Sequence, residues 1–167
     1  MSSALTYSDA TIRRILNRVK TIAMVGASPT WNRPSFFAMK YLQEKGYRVI
    51  PVNPRAADQE ILGERVYASL ADVPHRIDMV QIFRNSEAAG PITDEAIGQS
   101  QHKGIEVLWM QLGVRNDEAA ARAEAAGLEV VMDRCPKIEF GRLNSELSWG
   151  GFNSGIISSK RRRVWLT

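Results

Sequence analysis

Gly26, Ala27 and Ser28 close the stretch Thr21-Ile-Ala-Met-Val-Gly-Ala-Ser28. A glycine turn between a strand and a helix is a place where phosphate can be held. The first N–H groups of a helix have no partner within it and carry the positive end of its dipole, so they hold anions. Pro34 suits a first helical position, which puts Ser35 in the first turn and Arg33 just ahead of it. Gly26 permits a sharp exit from the strand and the close approach of a ligand. Ser28 offers a hydroxyl and Arg33 a planar charged fork to a phosphate. A solvated loop arginine is the competing reading of Arg33.

The next strand sharpens the test. A dinucleotide site of the NAD type carries Gly-x-Gly-x-x-Gly and, about 20 residues on, a carboxylate for the ribose hydroxyls. Here Ser28 and Trp31 stand at the second and third glycine positions, and Pro51-Val52-Asn53-Pro54 supplies no acid. Arg55 follows at once. An arginine there suits a ribose with its own phosphate, as in NADP or coenzyme A. The plainer alternative is turn chemistry at Asn53-Pro54 beside a solvated Arg55.

Groups for covalent or acid–base catalysis are scarce. Gly-x-Ser-x-Gly does not occur, so there is no nucleophile elbow. His75 and His102 lie far apart in no metal-type spacing and read as surface residues. No metal is expected. Asp78 and Glu106 fall in strand segments and read as edge or partner contacts. Cys135, the single cysteine, excludes an intrachain disulfide. It follows Arg134, which can lower a thiol pKa, yet a small buried residue packed under a loop is the favoured reading. The catalytic set is therefore read as empty.

These residues need a frame, and the apolar pattern supplies one. Ile12, Ile15, Leu16 and Val19 mark an amphipathic helix over Tyr7 to Lys20. Strands are expected at Thr21–Val25, Tyr47–Val52, Ile77–Phe83, Ile105–Gln111 and Leu128–Met132. Helices are expected from Pro34 to Lys45, from Pro91 to Lys103, and from an Asn116 cap to Ala126. Arg55 to Pro74 reads as a turn, a short extended piece and one helical turn at Ser69–Asp72. Beyond Cys135-Pro136 the pattern fades, and Leu143 to Thr167 is expected to be mostly irregular. Strands alternating with helices predict an α/β fold: a Rossmann-like, doubly wound parallel sheet of about five strands. Its ligands bind beyond the C-terminal strand ends, where the strand order reverses. The exits to inspect are Gly26–Ser28, Val52–Pro54, Phe83–Asn85, Gln111–Gly113 and Asp133–Cys135.

A length of 167 residues with 44% apolar and 24% charged side chains fits one soluble domain with a proper core. No apolar run is long enough for a membrane span. Met1-Ser-Ser-Ala-Leu-Thr-Tyr-Ser8 lacks the plan of a signal peptide, so a cytoplasmic location is expected. Lys160-Arg-Arg-Arg163 accounts for the whole net charge of +4. The excess is a property of the tail, and no nucleic-acid or membrane partner is expected from it. Residues 1–143 form the expected domain and 144–167 a C-terminal extension with a basic end.

The order and spacing of Val25-Gly-Ala-Ser28, Gly46-Tyr47, Val49-Ile-Pro-Val-Asn-Pro54, Ile61-Leu-Gly63, Tyr67-Ala-Ser-Leu-Ala-Asp72, Ile77-Asp-Met-Val80 and Val131-Met-Asp-Arg-Cys135 resemble the small stand-alone coenzyme A-binding proteins. These are similar to the CoA-binding domain of succinyl-CoA synthetase alpha chains and of ADP-forming acyl-CoA synthetases. The resemblance covers about residues 10 to 143. It implies CoA lying across the strand exits, with Gly26, Ala27 and Ser28 lining the phosphate and ribose region. Val52, Asn53 and Pro54 would bound the adenine end, and Phe83-Arg84 would close one wall. Arg33, Ser35 and Arg55 are added on physical grounds. In the larger synthetases a separate domain supplies a phosphorylated histidine, and no such domain is expected within this length. The function expected is therefore binding of CoA or an acyl-CoA, as a non-catalytic carrier, sensor or buffer. An NADP-dependent oxidoreductase and a CoA-linked thiol exchange through Cys135 are the alternatives.

Overall fold

The computed structural model describes residues 4–144. The basic end and nearly all of the expected extension lie outside the described residues. Five parallel strands form one sheet: β1 (Thr21–Val25), β2 (Arg48–Val52), β5 (Met79–Ile82), β6 (Val107–Met110) and β7 (Glu129–Val131), in the order β2-β1-β5-β6-β7. The chain goes from β1 to one side, then returns past it to build the other. The strand order thus reverses between β1 and β5, and the ends of those two strands set the ligand position for such sheets.

Both faces of the sheet are covered, which is why its strands read as unbroken apolar runs. On one face Met24, Met79, Val107 and Trp109 pack under α1 (Asp9–Arg18), α2 (Pro34–Glu44) and α5 (Pro136–Leu143). On the other, Val25, Ile50, Val80 and Leu108 pack under α3 (Ser86–Lys103) and α4 (Asp117–Ala125). The second pair of helices presents mostly alanines (Ala89, Ala96, Ala119, Ala120 and Ala123). β2 is an edge strand. Arg48 N–H donates to Lys20 and Gly26 N–H to Val52, so the missing N–H of Pro51 falls on the outer side, where it is tolerated.

Between β2 and β5 the chain forms a small antiparallel hairpin, β3 (Glu60–Ile61) and β4 (Glu64–Arg65). Leu62 and Gly63 both take positive φ at its turn, as a two-residue hairpin of matching twist requires. Ser69–Asp72 is a hydrogen-bonded turn closed by the Ser69 hydroxyl on the Asp72 carboxylate, 2.9 Å.

Two expectations are corrected. The helix expected from Pro91 starts at Ser86, because Asn85 caps it by accepting from Ala88 N–H at 2.8 Å; Pro91 sits inside it. The stretch after Cys135, expected to lose its pattern, is the helix α5. Phe140 anchors it, edge-on to Tyr41 and Tyr47. A helix of eight residues has little stability of its own and depends on such packing. Among the described residues, no helix is long and apolar enough to cross a membrane.

α1 is held to the far edge of the sheet by charge. Arg14 makes a two-pronged bond to Glu129 at 2.6 and 2.7 Å, and Arg18 adds a third contact at 3.1 Å. The Arg14 bond holds the Glu129 carboxyl below the ordinary carboxylate range, partial burial opposes it, and Arg18 adds to the lowering. A carboxyl depressed in the fold stabilises it above the unfolded pKa, and that contribution fades as pH falls through the folded value. Glu129→Gln should therefore cost at most about 1 kcal/mol at neutral pH, since water screens this half-exposed cluster. The variant and the parent should converge in acid. Urea unfolding at several pH values checks this; a constant difference down to acid pH would count against it.

Candidate functional site

Beyond the ends of β1 and β5 lies an open cleft of about 740 Å³. It brings together seven residues singled out in the sequence: Gly26, Ser28, Arg33, Ser35, Arg55, Phe83 and Arg84. Two helix starts converge on it, Pro34 and Ser35 of α2 and the Asn85 cap of α3. Both dipoles present their positive ends there. The walls carry no carboxylate. Arg33, Arg55 and Arg84 are exposed, and among the described residues none of them makes an ion pair. Most other arginines, such as Arg14, Arg48, Arg65, Arg115 and Arg122, are paired with acids. A pocket of this charge can attract and hold an anion.

The four remaining candidates do not line this cleft. Ala27 and Val52 are buried in the core. Asn53 acts as a clamp: its amide donates to the Ala27 carbonyl at 2.9 Å, and its oxygen accepts from Arg55 N–H at 3.0 Å. Pro54 opens a single 3₁₀ turn, Pro54–Ala56, behind that clamp. These residues fix the spacing of the β1 and β2 exits and so position Arg55.

Gly26 also differs from its expected role. A Cβ there would stand 2.3 Å from the Phe83 carbonyl oxygen, so the space left by the missing side chain is filled by the β5 exit. Nor is every N–H at the turn open: Ser28 N–H donates to the Ser35 hydroxyl at 3.0 Å, and Thr30 N–H donates to the Ser28 hydroxyl at 3.1 Å. Both hydroxyls keep a proton to donate. The buried Ser35 therefore joins the loop to the helix start.

Residues that the candidate set lacked are Pro34, Asn85, Gln111, Leu112 and Val114. The signal for Gln111 was present, a polar residue ending the run Val107-Leu-Trp-Met110 at a strand exit. A second signal was Gln81 amid the apolar residues of β5. It is fully buried, donates to the Gln111 side-chain oxygen at 3.0 Å, and leaves its own oxygen without a partner.

Beside the cleft, and sharing Pro34, Phe83 and Gln111 with it, runs a narrower groove of about 320 Å³ between α2 and α5. Cys135 lines it and is otherwise buried. Arg134 does not serve the thiol: its guanidinium donates to the carbonyls of Leu5 and Asp133 and lies over the Tyr7 ring. At the opposite, N-terminal end of the sheet, His75 and His102 do meet on a small pocket with Arg76 and Lys103. Among the described residues there is no group of three or more His, Cys, Asp or Glu side chains able to hold a metal. Asp78 accepts from the N–H groups of Lys20 and Thr21 at 2.9 Å each, and Glu106 pairs with Arg18 at 3.3 Å. Both are structural partners, as expected.

Residues 20–141 match the family model described as a CoA binding domain. The chain is 37% identical over 131 residues to the uncharacterized protein YneT of Bacillus subtilis, covering 78% of this chain and 93% of that one. A hypothetical protein from Pyrococcus horikoshii superposes with a TM-score of 0.77 at 39% identity, over 86% of this chain and 99% of the other. The ADP-forming acetate–CoA ligase I of Archaeoglobus fulgidus is 26% identical over 155 residues, spanning 89% of this chain but 22% of the ligase.

Proposed function

The chain belongs to the CoA binding domain family, and from that premise we propose that it binds coenzyme A or an acyl-CoA in the cleft between the β1 and β5 exits, as a carrier, sensor or buffer without turnover of its own. The observation that carries the reading is the set of three arginines that, among the described residues, have no acidic partner, around a cleft whose described walls hold no carboxylate. CoA bears a pyrophosphate and a separate ribose phosphate, and the two helix starts with these arginines offer donors to both. The absence of an acid after β2 disfavours a bare ribose and so disfavours NAD. The described walls of the cleft carry no carboxylate, histidine or thiol, which supports a reading of binding without chemistry.

Thermal unfolding with CoA, NADP and NAD at matched concentrations tests this. A ligand held at a hundred times its dissociation constant adds about 2.7 kcal/mol. For a chain of this size that raises the midpoint by roughly 5 to 10 °C. CoA should give this shift, with NAD giving none. A shift with NADP alone would sink the proposal and favour an oxidoreductase.

A further inference from the structure

Gln111 stands where the cleft meets the groove and is only 9% exposed. Its side-chain oxygen is engaged by Gln81, so its two amide N–H donors are turned the other way. Among the described residues nothing accepts from them. The Gln111 nitrogen is not among the buried polar atoms that lack a partner, so its donors are open to a ligand at the mouth of the groove. The groove beyond is mainly apolar: Phe37, Ala38, Phe83 and Ile138 make most of its walls, with Cys135 and Lys137 beside them. Phe37 and Ile138 remain 47% and 43% exposed, so their apolar surface is accessible to a ligand that enters the groove. The groove thus offers hydrogen-bond donors at its mouth and apolar surface behind them. A thioester has the matching order, a carbonyl followed by a hydrocarbon chain.

We infer that the groove seats the acyl group of a short-chain CoA thioester, with the Gln111 amide donating to the thioester carbonyl. The ligand is then an acyl-CoA in preference to free CoA: the groove supplies that preference, and Gln111 recognises the carbonyl. This rests on the reading of the cleft as a CoA site, and the test separates the two. Titration calorimetry would compare CoA, butyryl-CoA and S-butyl-CoA, the last a thioether with the same chain but no carbonyl. Burying three or four carbons should make butyryl-CoA up to about a hundredfold tighter than CoA. Losing the carbonyl should make S-butyl-CoA about fivefold weaker than butyryl-CoA.

Gln111→Leu should bring butyryl-CoA and S-butyl-CoA to the same affinity. Ile138→Glu, at the exposed rim, should remove the advantage of both over CoA. Because Gln111→Leu strands Gln81, its fold is checked by circular dichroism, and Ile138→Glu keeps the inference testable should that variant unfold. CoA and butyryl-CoA binding alike to the parent protein would overturn the acyl seat. A butyryl preference over the thioether that survives Gln111→Leu would overturn the role of Gln111. Binding of none of the three would instead remove the CoA reading beneath it.

Discussion

Gly26→Ala should lose about 3 to 5 kcal/mol of stability, from strain of the left-handed backbone and from overpacking against a neighbour that cannot yield. The new Cβ would meet the Phe83 carbonyl oxygen at 2.3 Å and its carbon at 2.9 Å, both backbone atoms. Relieving that clash means parting the β1 and β5 exits. It would stretch the bond from Phe83 N–H to Val25 and disturb the one from Gly26 N–H to Val52 on the β2 side, each 2.8 Å. Gly127→Ala is the control. Gly127 also has positive φ, 91° against 95°, but a Cβ there meets nothing within 4 Å. It should pay only the backbone strain, about 1 to 2 kcal/mol. Urea unfolding of the two variants isolates the close approach. Equal losses would show that the β1–β5 corner is not held by that contact. Any Gly26→Ala protein that still folds should bind CoA weakly, since Phe83 and Arg84 would be displaced with the strand end.

The Gly26 contact explains what could and could not be read in the chain. Ile22 to Val25 is apolar without a break, and such a run means a strand buried on both faces wherever it lies; Asn116 before Asp117-Glu118 announces a helix by local chemistry alone. Arg33, Arg55 and Arg84 were legible as strand-exit residues, because alternation of strands and helices brings all exits to one side. What partner fills the space at Gly26 depends on the β1–β5 pairing, which no local pattern encodes. The same holds for the Gln81–Gln111 pair, thirty residues apart and joined only across β5 and β6. Ala27 and Val52 looked like site residues by position along the chain, yet both are buried: Val52 still lies within β2, in a sheet covered on both faces, and Ala27 packs into the core just past the end of β1. The helix α5 was hidden for another reason: its inward positions are Pro136, Glu139, Phe140 and Gly141, so a carboxylate and a glycine stand where helical spacing calls for apolar residues.

Arg33, Arg55 and Arg84 should each contribute about tenfold to CoA affinity, the order of one charge-assisted bond to phosphate. All three are exposed and unpaired with acids, so glutamine at any one of them should leave the melting temperature of the free protein nearly unchanged while weakening the ligand. Replacing all three with glutamate should abolish measurable binding, because the cleft would then repel the phosphates it is built to attract. Affinity of the parent should fall with added salt, and each glutamine variant should show a shallower dependence. The three need not act alike. Arg55 follows β2, at the end of the sheet where related folds hold the adenosine ribose, whereas Arg33 precedes the start of α2. Arg55→Gln should therefore reduce the preference for CoA over dephospho-CoA, which lacks only the ribose phosphate, and Arg33→Gln should weaken both ligands in equal proportion. Calorimetry with the two ligands on the two variants decides it. Should Arg55→Gln leave the preference intact, the ribose phosphate lies elsewhere, and the orientation of the nucleotide across the cleft must be reversed.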